Sequence, residues 1–262
     1  MFLNHFDLTA HPFAEKPPID WLLRDERTDQ ALARLKFFEQ QGAIALIIGQ
    51  TGLGKSSLLR FFIDQLPHNR YHPVYLHLTP LNANAFLRLI VTKLGEKPLM
   101  GKDRMLMQIL DRININDKCT LFIIDEAHLI DPKILTDLRL LISSIDQQVS
   151  LKILLCGQES LNQILKRSSY ADLVQRISLQ FVIKPLSQEK TDAYIDYRIT
   201  KSGGVTKIFE AEAKSLIHDY TGGVPRQINN VATACLINAA ARNMKKITEP
   251  LVNETMAEFS LP

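Results

Sequence analysis

Short unbroken apolar runs alternate along this chain with longer stretches in which apolar residues recur every three or four positions. Ala43 to Ile48 (AIALII) is such a run, and its continuity predicts a strand buried on both faces. It leads directly into Gly49-Gln50-Thr51-Gly52-Leu53-Gly54-Lys55-Ser56. A helix is predicted next, through Leu58, Leu59, Phe62 and Leu66, ending before Pro67. Further strands are predicted at Val74 to Leu78, Leu121 to Ile124, Ile153 to Cys156 and Leu179 to Ile183. Helical spacing fills the intervals at Ala85 to Leu94, Arg104 to Ile113, Ile134 to Ile145 and Ser160 to Lys166. Strands alternating with helices imply an α/β fold with a parallel, helix-covered sheet.

Beyond Pro185 only helical patterns remain. Ser187 can cap a helix through Ala193, Tyr194 and Tyr197, and a second carries Ala213, Leu216, Ile217 and Tyr220 before Gly222-Gly223. Pro225 suits a helix start and opens a segment through Ile228, Val231, Cys235, Leu236 and Ala239. Thr248 and Pro250 open a last helix with Leu251, Val252, Thr255, Met256 and Phe259. The expected organisation is a P-loop sheet domain over 1–184, with an N-terminal extension 1–42, followed by a small all-helical domain over 185–262.

Composition narrows the class without naming a partner. Hydrophobic residues at 46% and charged residues at 23% are ordinary for a folded globular chain and exclude disordered and collagenous classes. Lys+Arg 31 against Asp+Glu 28 leaves +3, spread without a basic tail, which permits a polyanion but does not argue for one. The longest apolar run, Ala43 to Ile48, falls far short of the roughly 20 residues of a membrane-spanning helix. The start, Met1-Phe2-Leu3-Asn4-His5-Phe6-Asp7, lacks the basic and apolar regions of a signal peptide, so the expectation is cytoplasmic. Cys119, Cys156 and Cys235 lie far apart in apolar segments and read as buried thiols, not a disulfide or metal site.

The chemistry sits at strand ends. Gly49 to Ser56 matches G-x-x-x-x-G-K-[ST]: the glycines let backbone N–H groups curl around phosphate oxygens, Lys55 reaches the terminal phosphates, and Ser56 ligates Mg²⁺. Because the loop joins a strand to a helix, Lys55, Ser56 and Ser57 open a helix whose N-terminus faces an anion. Thr120 to Glu126 (TLFIIDE) is an apolar strand delivering two carboxylates at its C-terminal end, where ligands of open α/β sheets bind. Asp125 would hold the Mg²⁺ shell and Glu126 would polarise the attacking water. Asp125-Glu126-Ala127-His128 also spells the box of one helicase group, a superficial likeness because such helicases need two motor domains.

With these residues in place, the chain resembles an AAA+ ATPase, a P-loop sheet domain followed by a helical lid. Within that superfamily it is similar to the group containing ExeA-type secretion ATPases and the transposition regulators TniB, TnsC and MuB. The likeness runs through His11-Pro12-Phe13, Leu155-Cys156-Gly157-Gln158, Gln175-Arg176-Ile177, Lys184-Pro185-Leu186-Ser187 and Gly222 to Asn229 (GGVPRQIN). It implies that Gln158 is the first sensor, between the attacking water and the γ-phosphate. It likewise implies that Arg176, or in second place Arg167, reaches the ATP of a neighbouring subunit. Arg226 would be the second sensor, contacting the γ-phosphate from the lid; an arginine at a helix N-terminus opposes the helix dipole, so an anionic partner there makes physical sense. The segment His11 to Trp21 would contribute to the adenine pocket.

The same resemblance implies ATP and Mg²⁺ as cofactors and a homo-oligomer, ring or filament. The preferred function is an ATP-dependent transposition regulator that assembles on double-stranded DNA and recruits a transposase. Lys97, Lys102, Arg104, Lys133 and Arg139 are conceivable DNA contacts. The alternatives are a protein-binding assembly ATPase of an ExeA-like secretion system, and a replication initiator or loader. No membrane-spanning helix or cell-wall-binding part is read here, which lowers the former; no winged-helix domain is read after the lid, which lowers the latter.

Overall fold

The computed structural model of the chain describes residues 2–145 and 151–259. It divides into two compact units, one of Asp29–Thr51 and Leu58–Ile183, the other of Met1–Thr28, Gly52–Ser57 and Lys184–Pro262.

The first of these holds a five-stranded sheet: β1 (Ile44–Ile48), β2 (Tyr71–His77), β3 (Cys119–Asp125), β4 (Leu151–Gly157) and β5 (Ile177–Val182). They lie in the order β2-β3-β4-β1-β5, every pairing parallel. Parallel neighbours require a crossover, and the intervals supply helices. In chain order the helices are α1 (Phe2–His5), α2 (Glu26–Gln41), α3 (Lys55–Asp64), α4 (Ala83–Lys93), α5 (Lys102–Ile115), α6 (Pro132–Ser144), α7 (Glu159–Leu165) and α8 (Ala171–Val174).

Burial follows strand order. β1 is buried at all of its residues, whereas β5, at the edge, alternates half-buried and exposed positions. Ile44, Leu46, Ile48, Phe122, Ile124, Ile153 and Leu155 pack with Phe86, Ile90, Ile109 and Leu138 of the helices in one apolar cluster. Each fully buried branched side chain contributes roughly 1.5–3 kcal/mol. The central strands are therefore the rigid part on which loops at their C-terminal ends can be placed.

The second unit is helical: α9 (Gln188–Lys201), α10 (Ala211–Thr221), α11 (Pro225–Ala241) and α12 (Glu249–Phe259). Ser187 caps α9, its side chain accepting from the Lys190 amide. α10 stops on Gly222 in the left-handed region (φ +54), and at Gly223 (φ +71) a Cβ would fall 2.0 Å from the Leu186 carbonyl oxygen. Only glycine fits there, and the carbonyl of Gly223 accepts from the Leu186 amide at 2.9 Å.

The N-terminal segment clusters with these helices, although the sequence reading grouped it with the sheet. Phe6, Leu8 and Phe13 are buried with Ile195, Ile199, Ile228 and Leu236. Arg198, itself buried, donates to the carbonyls of Pro12 at 2.6 Å and Ala14 at 3.2 Å and to the Tyr194 hydroxyl at 3.1 Å. Its guanidinium also lies over the Trp21 ring, 5.6 Å from the centroid. These contacts fix the His11 to Trp21 segment.

The cysteines are free thiols; Cys156 and Cys235 are buried, whereas Cys119 is half-buried, more open than expected. Burial pushes the Cys235 thiol up to about 11, so it stays protonated.

Candidate functional site

In the sheet unit the C-terminal ends of β1, β4 and β3 are brought level by their register, Ile48 against Gly157 and Ile124 against Leu155. The Gly49 amide donates to the Gly157 carbonyl at 3.0 Å, and the Ile183 amide to the Ile48 carbonyl at 2.8 Å. Gly49, Gln50 and Thr51 therefore leave the sheet at the edge where Asp125, Glu126 and Gln158 also emerge.

Asp125 is fully buried and held on three sides. Its Oδ2 accepts from the Tyr75 hydroxyl at 2.7 Å and lies 3.6 Å from His77 Nδ1, and its Oδ1 accepts from the Glu126 amide at 2.9 Å. His77 is paired with Asp125 in the β2–β3 register. Burial, with the hydrogen bond to Asp125, pushes the Tyr75 phenol upward and keeps it a donor.

Glu126 follows in the left-handed region (φ 56, ψ 34), an uncommon conformation for a side-chain-bearing residue. It turns the chain abruptly into the 3-10 turn Ala127–Leu129. Gln158 is the N-cap residue of α7 and its amide nitrogen donates to His128 Nε2 at 2.8 Å; His128 Nδ1 lies 3.4 Å from Glu126 Oε2. The structure thus brings Asp125, Glu126 and Gln158 together, with Tyr75, His77 and His128 as neighbours that the sequence reading did not select. His128 had been legible only as the last letter of a helicase-like box.

In the other unit, Gly52 (φ +86) and Gly54 (φ +89) both occupy the left-handed region, as a loop wrapping backbone amides around an anion requires. Leu53 and Lys55 are buried, Ser56 and Ser57 half-buried. A Cβ on Gly52 would stand 2.9 Å from Arg226 Cβ, and the Arg226 amide donates to the Gly52 carbonyl at 3.1 Å. Arg226, whose side chain is exposed in the first turn of α11, is thereby fixed beside the loop.

Arg176 and Arg167 stand elsewhere. Arg176 is exposed just before β5, whose first residue, Ile177, pairs with Ile44 at the start of β1. At ~3.3 Å per residue in a strand, that is more than 10 Å from the end of β1. Arg167, also exposed, follows α7. Of the conceivable DNA contacts, Lys102 is paired with the buried Asp137 at 2.7 Å and Arg139 with Asp172 at 2.7 Å. Lys97, Arg104 and Lys133 are exposed and make no ion pair among the described residues.

Comparison with known proteins bears on what this geometry is. Residues 39–165 match the family described as AAA domain. The ORC2 protein of Aeropyrum pernix, solved as ADPNP-ADP complexes, superimposes with a TM-score of 0.73 at 19% identity over 95% of this chain and 71% of that one. The fold is that of an AAA+ ATPase. Another AAA+ neighbour, the ORC1 protein of the same organism in complex with DNA, gives a TM-score of 0.70 at 15% identity over 94% of this chain and 67% of that one. By sequence, the chain is 32% identical over 269 residues to General secretion pathway protein A of Aeromonas hydrophila. That match takes in 99% of this chain and 49% of the relative, so the chain spans about half the relative's length. Among the described residues no helix is long and apolar enough to cross a membrane.

Proposed function

We propose that this AAA+ chain binds ATP with Mg²⁺ on Gly49 to Ser57, hydrolyses it, and uses the cycle to switch its own assembly state. The observation that carries the reading is the levelled edge of β1, β4 and β3, from which Gly49 to Thr51, Asp125, Glu126 and Gln158 all emerge.

Phosphate oxygens would be taken by the backbone amides of Gly52 to Ser56 and by the Lys55 ammonium. A divalent magnesium ion takes hard oxygen donors, and the Ser56 hydroxyl with the Asp125 carboxylate are such a set. It neutralises charge on the phosphate oxygens when bound. The Asp125 carboxylate, held in place by Tyr75 and the Glu126 amide, is a hard oxygen donor of the kind this ion takes. Glu126 polarises the attacking water, Gln158 engages the γ-phosphate, and Arg226 contacts it from the lid. Arg176, set at the far end of β5, serves the nucleotide of a neighbouring copy, which makes self-association part of catalysis.

For the client, the 32% identity along 99% of the chain favours a protein-binding assembly ATPase like its secretion-pathway relative. Transposition regulation on double-stranded DNA, with a transposase as partner, is the second reading; Lys97, Arg104 and Lys133, exposed and without an ion pair among the described residues, favour it. A replication initiator shares only the fold, at 15–19% identity.

The two readings separate in one binding series with a non-hydrolysable ATP analogue and unrelated DNA duplexes. Under the protein-client reading, the chain self-associates with nucleotide alone and leaves duplexes unbound, and affinity capture from cells recovers envelope components. Under the DNA reading, binding needs nucleotide and falls steeply with salt, because each neutralised phosphate releases counterions.

A further inference from the structure

The route from Gln158 to Glu126 in this structure runs through a histidine. Gln158 Nε2 donates to His128 Nε2 at 2.8 Å, and His128 Nδ1 faces Glu126 Oε2 at 3.4 Å. An amide nitrogen only donates, so in this arrangement the accepting Nε2 is bare and the ring proton sits on Nδ1, which makes no hydrogen bond among the described residues and lies 3.4 Å from the carboxylate. Nε2 is thus bonded to Gln158 while Nδ1 stands close to Glu126 without a hydrogen bond, and the His128 and Glu126 side chains are only 11% and 22% exposed.

The backbone fixes this spacing independently. A Cβ on Gly157 would come within 3.0 Å of the His128 backbone nitrogen, so the 3-10 turn Ala127–Leu129 lies directly against the end of β4 that carries Gln158. Glu126 in its left-handed conformation begins that turn. A displacement of the Gln158 side chain would turn the ring bonded to it and so change how Nδ1 meets the carboxylate 3.4 Å away.

We infer that His128 is a positioning residue that aligns Glu126 according to whether Gln158 is engaged. The inference rests on the ATPase reading above, with Glu126 as the group that polarises water. His128 touches no reacting atom; it acts through Glu126. The relay makes the carboxylate's aim conditional on the sensor, so that water is activated when the γ-phosphate is in place.

A double-mutant cycle on the full chain tests this. Turnover at saturating ATP, the Michaelis constant, ATP-analogue affinity and melting temperature are measured for the unsubstituted chain, His128→Ala, Gln158→Ala and the pair. His128→Phe keeps the ring volume and removes both nitrogens, and it replaces His128→Ala should the smaller side chain fail to fold. Expected is a fall in kcat of about ten- to a hundredfold for either His128 variant, because small misplacements of a reacting group cost that much. Analogue affinity and melting temperature stay unchanged. In the Gln158→Ala background the same His128 change costs no more than about twofold, the signature of one coupled unit. Undiminished kcat in His128→Phe, or losses that multiply in the pair, overturns the relay while leaving the ATPase reading intact. An unsubstituted chain that binds ATP and does not turn it over contradicts that reading, and the relay with it.

Discussion

Glu126→Gln binds ATP as the unsubstituted chain does and turns it over about 10²- to 10⁴-fold more slowly, the range a general base supplies. The substitution keeps side-chain volume and the left-handed backbone at this position, and it leaves Asp125 with its contacts to Tyr75 and the residue-126 amide. Binding is therefore spared. The negative charge that, in the proposed mechanism, polarises the attacking water is lost, and the neutral amide beside His128 cannot replace it. Phosphate release under saturating ATP, read beside analogue binding, measures both halves. Turnover within about tenfold of the unsubstituted chain would remove Glu126 from the role, because so small a loss lies below what a base contributes.

Arg176→Ala gives the second large effect. Because Arg176 precedes β5, whose first residue pairs with Ile44 at the start of β1, the sheet itself separates it from the edge where its own chain's loop emerges. On the proposed reading it acts on another copy. Loss of an arginine donated across subunits is expected to lower turnover by about 10³-fold or more with binding retained. Mixing Arg176→Ala with Glu126→Gln restores part of the activity, since a mixed assembly contains sites built from an intact Glu126 on one copy and an intact Arg176 on the next. No recovery contradicts the trans assignment, and a loss seen in Arg167→Ala alone moves it to that residue.

Much of this arrangement was legible in the sequence because the central strands are unbroken apolar runs and the phosphate loop follows one of them. Strand beginnings were less legible, for identifiable reasons. β2 starts at Tyr71, three residues before the predicted Val74, and includes Pro73; a residue without an amide proton is tolerated because β2 lies at the sheet edge. β4 takes in Lys152, whose charge interrupts the run but whose ammonium donates to the carbonyls of Phe38 and Gly42. Helix α2 was not predicted at all, although Ala31, Leu35 and Phe38 are buried at helical spacing. The exposed Phe37 beside Phe38 blurs that stripe.

At the site, the loop, Asp125 and Glu126 could be read from motif and strand end. Tyr75 and His77 could not, because their approach to Asp125 follows from β2 pairing with β3, a strand order that the sequence does not spell out. His128 was in plain view, but its meaning depends on Gln158, thirty residues further along, arriving on the neighbouring strand. The N-terminal segment joined the helices through Arg198, whose carbonyl partners carry no sequence signature.

In the proposed function the curl at Gly49 to Ser57 holds a nucleoside triphosphate with magnesium. Titration calorimetry of the full chain with a non-hydrolysable ATP analogue, with Mg²⁺ and then with chelator, in unsubstituted and Lys55→Ala forms, tests it most directly. Expected is saturable binding that weakens without the cation and disappears in Lys55→Ala. An unsubstituted chain that takes up no heat of binding at millimolar analogue, or a Lys55→Ala chain that binds equally well, would contradict it.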